Sequence, residues 1–206
     1  MHKKFLPFAL LLLISAMAAQ DDEPKPVISK DPLTADQVAV YRAVLADYKK
    51  GENSPLNLAD TTKPFRLNDF QDEKTCLKSA SIQLDATRTN VVHRLSPAVA
   101  LNSKVFLVDP NRQSKTVKKN DPGNLIKGAI EDYKPLSDKE LEESVKQAFA
   151  TGLFTFSEIA FNKQHTRAAL WYSFYCGGLC GHGNTVVLKQ VNGKWKMSKR
   201  CGGWIS

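Results

Sequence analysis

The chain has 206 residues, 42% of them hydrophobic and 24% charged, with a formal net charge of +8. That length fits one domain able to bury its own core without staples. The positive excess lacks the density of a nucleic-acid-binding arm, so no nucleic-acid partner is expected, and it suits anionic partners of other kinds.

The first nineteen residues stand apart. Met1-His2-Lys3-Lys4 is a short positive start, and residues 5–19 form an uncharged apolar run that closes on Ala16-Met17-Ala18-Ala19. This is the pattern of a cleavable secretory signal, cut either side of Ala19. A membrane span needs roughly 20 apolar residues; this run is shorter, and no later stretch is long and apolar enough to span. No cysteine follows the run, which argues against a lipid anchor. Loss of Lys3 and Lys4 with the leader lowers the net charge from +8 to +6.

Residues 20–32 are polar, with Pro24, Pro26 and Pro32, and read as a flexible or extended lead-in to a single domain over 33–206. Thr34 with Gln37 has the spacing of a capping box, and Val38, Tyr41, Leu45 and Tyr48 recur at helical spacing up to a stop at Gly51. Residues 55–59 alternate as a short strand, residues 71–95 read as helical in pieces with Cys76, Leu77, Ala80 and Leu84 on one side, and residues 105–108 as another strand. Residues 109–121, with Arg112, Lys115, Lys118 and Lys119, read as a basic solvated loop. Ser137 and Glu140 form a second capping box, opening a helix that reaches about Thr151 and stops at Gly152.

The remainder reads as strands. Residues 154–156 and 159–161 flank a change of phase that suits a bulge. Residues 167–175, 185–191 and 194–201 then alternate, the last two joined by Asn192-Gly193, a strong hairpin signal because both turn positions need positive φ. Helices first and an antiparallel meander last make an α+β domain.

A two-residue turn sets the pairing: Val191 opposite Lys194, Gln190 opposite Trp195, Leu188 opposite Met197 and Val186 opposite Lys199. One face then carries Val186, Leu188, Trp195 and Met197 as core. The other carries Lys189 opposite Lys196, with Lys194 and Arg200 nearby. Like charges placed opposite each other destabilise mildly, so Lys189, Lys196 and Arg200 are either solvated or a strip that meets an anionic envelope polymer or an acidic protein.

Four cysteines remain after the leader: Cys76, Cys176, Cys180 and Cys201. An even count in an exported chain favours disulfides. The regular register puts Cys201 opposite Asn184, so Cys176, Cys180, His182 and Cys201 are expected to gather at one sheet edge. Strands two apart lie about 9–10 Å from each other, too far for a Cys176–Cys201 bond. The favoured pairing is Cys176–Cys180 with Cys76–Cys201; Cys180–Cys201 with Cys76–Cys176 is the alternative. Cys176, Cys180, His182 and Cys201 also supply four soft ligands for a tetrahedral zinc, but their spacing is unlike the usual paired motif and export disfavours free thiolates. A thiol nucleophile served by His182 is a further alternative, although Cys-x₃-Cys is not the Cys-x-x-Cys of thiol oxidoreductases. No cofactor is expected.

His93 and His165 lack a sequence partner, and Asp60, Asp69 and Glu158 are carboxylates whose mutual distances decide whether they act as acid and base. There is no serine nucleophile elbow, no His-Glu-x-x-His and no phosphate loop. Trp204 reads as a core lid or an exposed stacking surface.

The run Phe156-Ser157-Glu158-Ile159-Ala160-Phe161-Asn162, the turn Cys176-Gly177-Gly178-Leu179-Cys180-Gly181-His182-Gly183, Gly193-Lys194-Trp195 and Trp204-Ile205-Ser206 resemble those of an uncharacterised family of exported bacterial proteins. These share the Cys-Gly-x-Leu-Cys-Gly-x-Gly turn and a terminal Trp-Ile-Ser. The resemblance covers about the last fifty residues and implies a bacterial, exported protein; it carries over no catalytic residue. The expectation is a non-enzymatic envelope or secreted binding module, with an envelope hydrolase or metal-dependent enzyme at the cysteine cluster as the alternative.

Overall fold

The computed structural model describes residues 25–66, 71–82, 90–100 and 104–206. The leader, Asp69 and Leu84 lie outside the described residues. The first elements are β1 (Val27–Ile28), α1 (Ala35–Tyr48), β2 (Leu56–Ala59), α2 (Gln71–Ser79), β3 (Val91–Val92) and β4 (Val105–Val108). Then come α3 (Pro110–Lys119), α4 (Pro122–Glu131), α5 (Asp138–Thr151), β5 (Leu153–Phe156), β6 (Ala160–Phe161), β7 (Arg167–Gly177), β8 (Cys180–Val191) and β9 (Lys194–Ile205).

Local chemistry accounts for the helix starts. Thr34 and Gln37 cap α1 reciprocally, the Gln37 N–H donating to Thr34 Oγ1 at 3.2 Å and the Thr34 N–H to Gln37 Oε1 at 2.8 Å. Ser137 and Glu140 do the same for α5. Residues 109–121 are not the expected loop. They hold α3, and α4 follows at once, because each helix opens on Asp-Pro: Asp109 and Asp121 are N-caps, and Pro110 and Pro122 occupy the first turn, where an N–H has no partner to lose. Val117 then buries completely against Ala59 and Leu153.

The domain is α+β, built on a sheet of order β4-β2-β5-β7-β8-β9, with β6 paired to β7. The expected meander is β7-β8-β9, but β2 extends the sheet by pairing parallel to both β4 and β5. Val27 and Ile28, in the stretch read as a lead-in, form a separate parallel ladder with Val91 and Val92. Helix α1 covers one sheet face: the Tyr41 and Phe156 rings lie 4.8 Å apart, and Tyr41 donates a buried hydrogen bond to the Ser157 carbonyl at 3.0 Å. Burial and the nearby Glu158 charge push the Tyr41 phenol well above its ordinary pKa. Helix α3 covers the opposite face at the β2 end, and α2 covers it at the β9 end. Val186, Val187 and Leu188 are therefore all fully buried, where one covered face would have left the middle one wet.

The final hairpin turns on Asn192 and Gly193, with φ of 51° and 72°. Its first pairs are as expected, down to Leu188 opposite Met197. Two irregularities on β9 then slip the register. Val187, not Val186, faces Lys199; Val186 faces Arg200; and Asn184 faces Gly203 rather than Cys201. Cross-strand partners share a face, so Arg200 moves to the α1 side and pairs with Asp47 at 2.7 Å. Lys199 moves to the α2 side and donates to the Cys76 carbonyl at 3.0 Å. Arg200 does not belong to the Lys189–Lys196 strip.

Candidate functional site

The cysteines pair as Cys76–Cys201 and Cys176–Cys180, with Cα separations of 5.5 and 5.1 Å. The four sulfurs do not gather. Cys201 lies alongside Thr185, about 17 Å along β8 from Cys180 at 3.3 Å per residue. With every cysteine bonded to another, Cys176, Cys180, His182 and Cys201 offer no thiolate to a metal or a substrate.

The shorter disulfide instead builds one wall of a cleft. The β7–β8 tip turns through Gly177, at φ +134°, where an added Cβ would lie 2.6 Å from Asp121 Oδ1. The Gly178 N–H donates to Asp121 Oδ2 at 2.7 Å, while Oδ1 accepts from the Gly123 N–H at 2.9 Å. One carboxylate thus caps α4 and holds the tip against it. Leu179 is left 69% exposed on this tip, and Ile205, whose backbone pairs with His182, is 89% exposed.

The opposite wall is helical, formed by Ile126 of α4 with Leu141, Val145 and Phe149 of α5. Phe149 stacks on Phe174 of β7 at 5.9 Å. Between the walls lies an apolar cavity of about 480 Å³. A second, of about 650 Å³, adjoins it across Phe149, Phe174 and His182 and is edged by Tyr48, Lys49, Glu52 and Lys146. His182, in both linings, stacks on Tyr48 at 5.7 Å. Burial pushes the imidazole below its ordinary pKa of 6.5, against an upward pull from Glu52. Burial, with Glu52 and Tyr172 adding to it, raises the Tyr48 phenol. The centre of the cleft is therefore neutral at pH 7 and apolar, with Lys49 and Lys146 outnumbering Glu52 at one mouth. Sequence reasoning placed Cys176, Cys180 and His182 together and read α5 from its capping box, but missed α4, which completes the helical wall and whose signal was Asp121-Pro122.

The other candidates lie elsewhere. Glu158 and His93 do meet: the His93 N–H donates to Glu158 Oε1 at 2.8 Å, and Nδ1 lies 2.9 Å from Oε2. Thr62 Oγ1 bonds the same carboxylate, so both oxygens are engaged in tying β3 to the end of β5, an anchoring arrangement. Asp60 lies 3.8 Å from Arg94, and His165 stacks on Phe161 at 4.8 Å. Trp204, 41% exposed, lies over Gly183, where a Cβ would come within 2.4 Å of its Nε1; the glycines after Cys180 make room for the indole. Lys189 and Lys196 face each other on the open sheet surface as expected.

No family model, curated protein or solved structure matches the chain. Among the described residues no helix is long and apolar enough to cross a membrane, and no three His, Cys, Asp or Glu side chains group as metal ligands.

Proposed function

We propose that the chain is an exported, non-enzymatic binding module and that its cleft holds a single-chain amphiphile with an anionic head, such as a fatty acid. The observation that carries this reading is the pair of adjoining cavities sharing Phe149, Phe174 and His182: one is walled by aliphatic and aromatic side chains, the other is edged by two cations, Lys49 and Lys146, against one anion, Glu52. Their sizes fall in the range of small-molecule sites. An acyl tail fits the first and a carboxylate head the mouth of the second, where charge complementarity sets the orientation. The leader pattern, the two disulfides and the resemblance to exported bacterial proteins support export. The polar atoms of His182 and Tyr48 have no side-chain hydrogen-bond partner among the described residues, which leaves them open to a ligand.

Each buried methylene contributes about 0.8 kcal/mol. Affinity measured by calorimetry should therefore rise by roughly tenfold for each two carbons added from octanoate to dodecanoate. Val145→Glu, which places a charge in the apolar wall, should abolish binding. Lys146→Glu should weaken dodecanoate binding more than dodecanol binding. Binding indifferent to chain length, or unchanged in Val145→Glu, would remove the cleft as the site.

A further inference from the structure

From Ile159 to Ser206 the chain contains no aspartate or glutamate, yet carries seven lysines and arginines. Two of these, Lys199 and Arg200, are turned onto α2 and α1 by the β9 irregularities. The other five collect at one end of the meander. Arg167, Lys189 and Lys196 are direct cross-strand partners, one on each of three adjacent strands. Such partners share a face and lie about 4.8 Å apart across each strand pair, so the three cations form a straight row. Lys163 in the β6–β7 loop and Lys194 in the hairpin turn flank it. Among the described residues none of the five makes an ion pair. The carboxylate placed near this end, Asp36, accepts from Trp195 Nε1 at 3.2 Å on the α1 side of the sheet.

Like charges set directly opposite cost stability, and this row does so twice in succession without an ion-pair partner among the described residues. We infer that the row is a docking surface for a linear carboxylated polysaccharide, its strand lying across β7, β8 and β9 with carboxylates of successive sugars over Arg167, Lys189 and Lys196. The row's straightness and short pitch suit a polymer carrying one charge per sugar. A lipid surface fits less well: interfacial binding needs apolar side chains beside the cations, and none of the exposed large apolar residues belongs to the β6–β7 loop, the adjoining ends of β7 and β8, or the hairpin turn. A nucleic-acid strand would need an open aromatic face beside the cations for stacking; Trp195 is buried, Phe161 is covered by His165, and the half-buried Trp171 lies four residues along β7 from Arg167, about 13 Å away. Lys189 lies seven residue steps along β8 from His182, about 23 Å, so this surface is independent of the cleft and does not rest on the amphiphile reading.

The test uses the leader-free chain on polygalacturonate-coupled resin, eluted with a salt gradient. Arg167→Gln/Lys189→Gln/Lys196→Gln should elute at clearly lower salt than wild type. Lys115→Gln/Lys118→Gln/Lys119→Gln, which removes as much charge from α3, should elute close to wild type. Every charge removed is exposed except that of the half-buried Arg167, and circular dichroism checks that each variant is folded. Equal shifts in the two variants would show that only net charge matters; no shift in the first would show that the row is not the contact. Either result overturns the inference. So would co-sedimentation of wild type with phosphatidylglycerol vesicles without retention on the resin, which would make the occupant a membrane.

Discussion

His182 stands where both cavities, the β8 strand and the Tyr48 ring meet, and its environment disfavours charge. Because burial depresses its folded-state pKa, the folded protein binds fewer protons than the unfolded chain between that depressed value and the ordinary 6.5. The stabilisation is present above about pH 6.5 and is lost as the pH falls through the folded value. Wild type should therefore lose denaturant stability on acidification below pH 6.5 more steeply than His182→Gln, whose side chain does not titrate; urea midpoints at a series of pH values measure the difference. Equal slopes would mean that the imidazole is solvated in the folded state. At this scale the caps of α1 and α5 were legible in the sequence, because Thr34-to-Gln37 and Ser137-to-Glu140 are local patterns with a local cause. Asp121 was not. Its double task, capping α4 while accepting from Gly178, joins residues far apart in sequence, and only the fold brings them together. The same holds for the contact at Gly177, where a side chain would strain the turn at φ +134° and also meet Asp121.

Elements divide the two disulfides by what they constrain. Cys76–Cys201 ties α2 to β9 across 125 residues, whereas Cys176–Cys180 closes a turn of four. In the chain-entropy account the first contributes about 5 kcal/mol and the second about 2. Cys76→Ser/Cys201→Ser should accordingly lower the unfolding free energy by more than twice as much as Cys176→Ser/Cys180→Ser, measured by urea denaturation without reductant. A larger loss for the tip disulfide would mean that it organises the α4 contact as well as the turn. The order of strands in the meander followed from alternation and the Asn-Gly turn. The β9 irregularities did not, because counting from a turn assumes an unbroken ladder and each extra residue shifts every later side chain to the other face. That is why Arg200, expected beside Lys196, is bound to Asp47 instead, and why Cys201 lies away from the tip. The parallel edge of β2 and β4 was equally hidden: short apolar runs do not announce their direction, and between β4 and β5 two of the three helices, α3 and α4, open on Asp-Pro rather than on the capping pattern read elsewhere.

Across the whole molecule, the helices carry carboxylates while the final meander carries none, so one end of the sheet is basic and the other ends in an apolar cleft. Arg167 supplies the third member of the basic row, visible only when β7 is laid beside β8. A different consequence follows from the spacing of the cysteines. While the chain is being oxidised, Cys76 must wait for a partner made 125 residues later, and Cys176 and Cys180 are both made sooner. Closure of a short loop is entropically cheaper than closure of a long one, so the tip pair is expected to form first and withdraw the two competing sulfurs. The tip disulfide thereby acts as a proofreading device for the long one. Cys180→Ser, refolded from the reduced state, should accumulate a Cys76–Cys176 species alongside the native Cys76–Cys201, resolved by peptide mapping without reduction. Exclusive recovery of Cys76–Cys201 from that variant would mean that native contacts between α2 and β9 alone select the partner.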